Sequence, residues 1–178
     1  MLKDEIRAGI AAFLKNAAER TFEFDTSCPL EERVPFIHSV LFPGAALALF
    51  YFRFTVGRLA GWIDYSPLKV FIYRLMGFKI GEGVFISPGV FLDPHFPGLI
   101  ELQSHCIIGQ EAIVSCHEYS GYHYRLGRVT VGRGAVVGHG AVIMPGTTLQ
   151  PMTCLPMRTV VGKNTPLVGF YDFSEKYR

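Results

Sequence analysis

Apolar residues follow two different periods along this 178-residue chain, and the change falls near Met76-Gly77-Phe78-Lys79-Ile80-Gly81. At the start, Leu2, Ile6, Ile10, Phe13 and Ala17 recur at three- and four-residue steps. Lys3, Asp4, Arg7, Lys15 and Glu19 fall largely on other faces, which predicts an amphipathic helix. Asp4, Glu5 and Arg7 break any continuous apolar core, so the segment does not have the form of an export signal. An uncharged stretch follows, Val34 to Phe52, between Arg33 and Arg53. Its length approaches the about 20 residues of a spanning helix, but Pro35, His38 and Pro43-Gly44 divide it. Basic residues flank both sides, so no direction of crossing follows. Two readings stay open for residues 34–73: helices packed on the rest of the fold or on a partner subunit, or a re-entrant or surface-lying hairpin meeting a membrane. Trp62, Tyr65 and Tyr73 suit either interfacial anchoring or a core.

Beyond residue 79 the period becomes six. Val131, Val137, Ile143, Leu149, Leu155, Val161 and Leu167 stand in register, and four residues after each of the first six comes Ala135, Ala141, Thr147, Thr153, Thr159 or Thr165. The same frame runs through Ile80, Ile86 and Leu92, with Val84 and Val90, and through Leu102, Ile108 and Val114, with Cys106 and Ala112. Six matches no helical period and is too short for a hairpin. It suits a chain that makes one short strand and one corner per hexad, three hexads closing a triangular coil. Stacked coils place each aliphatic residue inside, against its counterparts above and below, and narrow corners admit only small side chains. No coil buries its own face, so neighbours supply the stability and the ends need caps, a task the N-terminal helices suit.

Composition supports one globular domain rather than disorder: 49% hydrophobic, 18% charged, and 14 of the 19 glycines in the second part. A net charge of +2 without a basic stripe gives no footprint for nucleic acid. Cys28, Cys106, Cys116 and Cys154 are widely spaced with no C-x-x-C, which argues against a disulfide scaffold or a zinc ribbon and fits a reducing compartment.

These hexads resemble the hexapeptide-repeat acyltransferases and are similar to the sugar and xenobiotic O-acetyltransferases among them, over about residues 77–170. The resemblance implies a mainly β fold, a left-handed parallel β-helix with an N-terminal apolar helical region, divided into a helical part at 1–79 and an acyltransferase part with its tail at 80–178. Left-handedness comes from the resemblance alone, since parallel crossovers are otherwise right-handed. Further implications are acetyl-CoA as co-substrate, no metal, a sugar or glycan hydroxyl as acceptor, a homotrimer with sites between subunits, and a cytoplasmic location, at the membrane face if residues 34–73 meet lipid.

Two interruptions of the hexads locate the expected chemistry. Asp93-Pro94-His95-Phe96-Pro97-Gly98-Leu99-Ile100-Glu101 adds four residues between hexads, and a longer excursion from Glu118 to about Thr130 starts right after His117. In the related enzymes a histidine at the close of a hexad, before an extended loop, deprotonates the acceptor; His117 occupies that place, and imidazole titrates near neutral pH. Asp93 stands where relatives hold an acceptor hydroxyl, although turn aspartates before proline are also common for local reasons. Glu118 orients His117 or is solvated; Tyr119, Tyr122 and Tyr124 suit stacking on a sugar or an adenine. The run Gly138-His139-Gly140-Ala141 is similar to the family's coenzyme A contacts, with Met157 and Arg158 one eighteen-residue coil above. Arg158 and Lys163 are candidates for the coenzyme phosphates. The family's closing Gly-Asn-Pro-Ala turn is only echoed, by Asn164 and Pro166. Two competing readings are a zinc carbonic anhydrase and a non-catalytic trimeric scaffold. The first is poorly served, because His117 and His123 have five residues between them and His105 falls on another face.

Overall fold

The computed structural model describes residues 3–26, 41, 44–120, 122–162 and 171–172. Residues 34–40, 42 and 43 of the uncharged stretch, and Lys163, Asn164, Thr165, Pro166 and Leu167 of the last hexad, lie outside the described residues. The amphipathic spacing at the start forms helix α1 (Lys3–Lys15), which buries Ile6, Ile10 and Phe13. Helices α2 (Ala45–Trp62) and α3 (Ser66–Leu75) precede the first parallel strand, with Pro67 in the first turn of α3, where its missing N–H costs nothing.

Every hexad then contributes a short strand, in strict rotation among three parallel sheets. The first holds β2 (Lys79–Ile80), β5 (Ile100–Leu102), β10 (Val129–Val131) and β13 (Thr148–Leu149). In the second are β3 (Phe85–Ile86), β6 (Ile107–Ile108), β11 (Val136–Val137) and β14 (Thr153–Leu155), with β16 (Tyr171–Asp172) antiparallel at its edge. The third stacks β4 (Phe91–Leu92), β7 (Ile113–Val114), β12 (Val142–Ile143) and β15 (Val160–Val161). Registers align the hexad positions as expected: Ile80 with Leu102, Val131 and Leu149; Ile86 with Ile108, Val137 and Leu155; Leu92 with Val114, Ile143 and Val161. Apart from half-buried Ile80 these residues are buried, as are the small corner residues Cys106, Ala112, Ala135 and Ala141. Mainly β with parallel sheets in rotation, the architecture fits a β-helix.

Two features depart from the sequence reading. The N-terminal part is not purely helical, because β1 (Thr21–Asp25) lies within it. The excursion after His117 is not a loop but a hairpin, β8 (His117–Ser120) and β9 (His123–Gly127), and β1 pairs antiparallel with β9 to complete a three-stranded sheet. Alternation in Thr21-Phe22-Glu23-Phe24-Asp25 explains the strand: Phe24 packs inward while Glu23 binds Arg125 at 2.9 Å. Arg128 ties α1 to the coils by donating to the carbonyls of Phe13 (2.8 Å), Asn16 (3.1 Å) and Glu19 (3.0 Å).

No described helix is long and apolar enough to cross a membrane. Helices α2 and α3 still leave Phe52, Leu59, Phe71 and Leu75 exposed. The three ambiguous aromatics divide: Trp62 and Tyr65 are 71% and 66% exposed, whereas Tyr73 is buried with its hydroxyl donating to Gly57 O at 3.3 Å. Burial, with Arg58 opposing, raises the Tyr73 pKa to about 12.

Candidate active site

The two interruptions emerge from the column one above the other. Leu92 pairs with Val114, an offset of 22 residues, and continuing that offset sets Asp93 beside Ser115 and His95 beside His117. The Asp93 N–H donates to Val114 O at 3.0 Å, which keeps the register to the end of the strand. Asp93 itself is 0% exposed. Its Oδ2 accepts from His117 Nδ1 (2.5 Å), Cys116 N–H (3.0 Å), His117 N–H (3.2 Å) and the Ser115 hydroxyl (3.3 Å). Its Oδ1 accepts from His95 Nδ1 (2.7 Å) and His95 N–H (3.1 Å).

Burial by itself raises the pKa of such a carboxyl. Here the hydrogen bonds and charges of His117 and then His95 outweigh it and hold Asp93 well below the usual carboxylate value. Since a carboxylate only accepts, both Nδ1 atoms must donate, and the lone pair of each neutral ring then resides on Nε2. The rings are 18% and 25% exposed at the side chain for His95 and His117, so they are reachable while their carboxylate is not.

Aromatic rings hold the pair from both sides. His95 and His117 lie with centroids 3.7 Å apart, Phe50 of α2 packs at a tilt against His95 at 4.5 Å, and Tyr124 of β9 stacks on His117 at 5.9 Å, with Phe24 of β1 behind it at 5.1 Å. The Tyr124 hydroxyl is buried without a hydrogen-bond partner among the described residues. Burial, then the neighbouring Cys116 and Asp93, keep its pKa well above 10, and burial with Asp93 does the same for the Cys116 thiol. Neither is an acid or base at neutral pH. Beside the pair opens a cleft of about 290 Å³ lined by Leu14, Arg53, His95, Phe96 and Leu99 among others.

The other sequence candidates fall as follows. Asp93, read as a hydroxyl ligand for the acceptor, instead turns both oxygens to the imidazoles and to amides inside the fold. Glu118 does not orient His117; it pairs with Arg125 at 3.1 Å across the hairpin. Tyr119 is partly exposed and packs on Tyr124 at 6.2 Å. Gly138, His139, Gly140 and Ala141 form one corner, and Met157 and Arg158 sit directly above it: Arg158 N–H donates to His139 O at 2.8 Å. A Cβ on Gly138 would come within 2.5 Å of Met157 N, and Gly140 turns the corner at φ 63°. Met157 is exposed. This corner separates the second sheet from the third, whereas His117 stands between the third and the first, so one chain does not bring the two together. His105 and His123 stay apart from His117, His123 binding Asp25 at 2.8 Å. His95 is the residue that sequence reasoning missed; the shared 22-residue offset of Leu92 from Val114 and of His95 from His117 was the available signal.

No family model matches the chain. Over 81 residues it is 30% identical to the Bacillus subtilis (strain 168) protein named “Putative acetyltransferase YvoF”, a match covering 45% of this chain and 47% of that one. The chain thus spans about half the length of the curated relative it matches. Among solved structures it is similar to a maltose O-acetyltransferase from Clostridium difficile 630 (14% identity, TM-score 0.45, covering 67% of this chain and 79% of that one). A serine acetyltransferase from Brucella abortus strain S19 matches at 18% identity and TM-score 0.32, covering 68% of this chain and 57% of that one. Its structural neighbours are hexapeptide-repeat acetyltransferases. In this chain the interruptions of the six-residue period carry Asp93 and His95 and begin directly after His117.

Proposed function

We propose that the chain is an acyltransferase that moves an acyl group from a coenzyme A thioester to a hydroxyl, most simply acetyl to a sugar or glycan hydroxyl, on a left-handed β-helix. His117 is the general base. The observation that carries this reading is the Asp93–His117 contact inside the fold at the point where the hexads break. A hydroxyl is a weak nucleophile at neutral pH; an imidazole fixed with Nδ1–H toward a carboxylate presents its Nε2 lone pair and is stabilised as imidazolium once it takes the proton. The proton then returns to the departing coenzyme A thiolate. Corner amides near the thioester carbonyl would supply donors for the tetrahedral oxyanion.

The donor lies along Gly138, His139, Gly140 and Ala141, with Met157 and Arg158 above, Arg158 toward the phosphates. Because that corner and His117 are a sheet apart within one chain, the reaction requires a second copy, as the homotrimer implied by the family resemblance provides. Outward-facing Phe85, Ile107, Ile113 and Val160 on the second and third sheets give such contacts apolar surface. The acceptor enters from the cleft beside His95, and Glu118 and Tyr119 on the hairpin are its further contacts. Contact of α2 and α3 with the cytoplasmic face of a membrane would explain Trp62, Tyr65 and Phe71 at the surface.

The test is release of free coenzyme A from acetyl-CoA by the purified full chain, across an acceptor panel that includes maltose, N-acetylglucosamine and L-serine. We expect turnover with at least one hydroxyl acceptor, and a fall of about 10²–10⁴-fold in His117→Ala. A folded His117→Ala variant that keeps the wild-type rate defeats the assignment of the base, and absence of acetyl-CoA binding defeats the enzyme reading in favour of a scaffold.

A further inference from the structure

We propose that Asp93, His95 and His117 form a binding site for one first-row divalent metal ion, Zn²⁺ above the others, and that its occupancy switches off the imidazole base. The metal site itself does not rest on acyl transfer, because it concerns the cluster as a ligand set; the loss of the base rests on the reading of His117 proposed above. One donor atom from each of the three residues lies within 4.8 Å of the other two. Two imidazoles and a carboxylate match Zn²⁺, Co²⁺ and Ni²⁺ in ligand preference, and together carry the negative charge that a dication neutralises.

The cluster is already organised. Asp93 cannot swing away, because backbone N–H groups of His95, Cys116 and His117 hold both of its oxygens. Both rings are clamped between Phe50 and Tyr124, so little ordering remains for the ion to impose. The exposed ring edges provide a path of entry to a carboxylate that solvent does not reach.

The carboxylate-to-ring contacts of 2.5 and 2.7 Å are hydrogen-bond separations, whereas donors around a tetrahedral Zn²⁺ with bonds of about 2.0–2.1 Å stand roughly 3.3 Å apart. The ion therefore replaces the two Nδ1 protons, and the rings retreat by less than about 1 Å. Each neutral imidazole keeps one proton, which moves through solvent from Nδ1 to Nε2; no oxidation occurs and water fills the fourth position. Nε2 then carries N–H in place of a lone pair. A metal-loaded chain has no base where the metal-free chain has one.

The experiment titrates the metal-free full chain with Co²⁺, followed by its visible absorption, and with Zn²⁺ in competition with a chromophoric chelator. Neither measurement needs an acyl donor, so the metal site and the acyltransferase reading fail separately. We expect one ion per chain, a tetrahedral Co²⁺ spectrum, and affinity lowered at least tenfold in His95→Gln and in His117→Gln. His123→Gln and His139→Gln bind as the wild type does. On the wild-type chain, Zn²⁺ should also protect His95 and His117, and not His123, from acylation by diethyl pyrocarbonate, a readout that requires no variant to fold. Wild-type affinity in both cluster variants, binding lost in His123→Gln, or no protection of His95 and His117 at saturating Zn²⁺ overturns the proposal.

Discussion

Asp93→Asn keeps the shape of the side chain and removes its charge, which isolates what the buried carboxylate does. An amide has one acceptor oxygen, yet both Asp93 oxygens face donors: His95 N–H and Nδ1 on one side, Cys116 N–H, His117 N–H and His117 Nδ1 on the other. The better orientation leaves the oxygen with Cys116 and His117 and points the new NH₂ at His95. There the ring can change tautomer and accept at Nδ1, but its backbone N–H remains a donor, and a buried donor left unmatched costs about 1–3 kcal/mol. Losing charge assistance adds to this, and relief of the carboxylate's desolvation subtracts, so a net loss of about 1–3 kcal/mol follows for Asn. Asp93→Ala removes every acceptor and should cost about 3–5 kcal/mol. For a domain of this size each kcal/mol lowers Tm by roughly 2–4 °C. The pH dependence has a definite sign. With the folded carboxyl held below its unfolded value of about 3.9, Asp93's ionisation contributes fully above that value, and the contribution is lost as pH falls through the folded one. Urea unfolding of the wild type and Asp93→Asn at pH 7 and in acid should therefore show a gap that narrows at the lowest pH. Equal stability at pH 7, within about 0.5 kcal/mol, would refute the claim that this carboxylate organises the two imidazoles.

Three further perturbations probe other parts of the fold. Arg128→Ala removes a guanidinium that binds carbonyls at the end of α1 and lies 5.0 Å above the Phe13 ring. About 1.5–3 kcal/mol of local stability should vanish, seen as faster hydrogen exchange in residues 3–15 with the coils unchanged. Gly138→Ala drives a Cβ against Met157 N and Leu155 O, both backbone, at 2.5 and 2.7 Å, whereas Gly98→Ala meets nothing within 4 Å. Denaturation midpoints should show a loss of about 1–3 kcal/mol for the first and little change for the second; equal effects would mean the coils are less tightly stacked. Lys69 is buried in α3 with no partner for Nζ among the described residues; burial lowers its pKa and Asp64 opposes. Its charge costs stability, which should rise as pH climbs through the folded value toward the unfolded one of about 10.4. Lys69→Met should be more stable than the wild type in neutral urea melts, with a flatter alkaline profile.

The coils were legible because stacking repeats one environment, so the same residue type recurs every six positions and no long-range information is needed to see it. Ile86, Ile108, Val137 and Leu155 form one ladder for that reason. Asp93 and His117 were legible as residues beside breaks in the period. Their relation was not, since the offset between coils becomes 22 there and a stiff Pro94–Pro97 segment reads as a bulge rather than as a carrier of His95. The hairpin was the least visible element. Its partner β1 lies about a hundred residues upstream, and nothing local in Tyr119-Ser120-Gly121-Tyr122 announces that pairing. Glu118, open between His117 and solvent in the sequence, finds Arg125 for the same reason, because the two become adjacent only when the hairpin closes.

That hairpin also explains why an N-terminal segment with no hexads belongs to the site. Rings run in contact from Phe13 of α1 through Phe22 and Phe24 of β1 to Tyr124, His117, His95 and Phe50 of α2. The coils supply only Asp93 and the backbone amides that pin it; both sides of the imidazole pair are walled by elements foreign to the repeat. A bare column would hold His95 and His117 only by their Nδ1–H bonds to Asp93, leaving each ring plane free to swing about that bond. Phe50 and Tyr124 remove that freedom from opposite directions, so the excursion and the N-terminal helices act on the same two rings. The repeat accordingly specifies where the carboxylate sits, and the insertions specify which way the bases point.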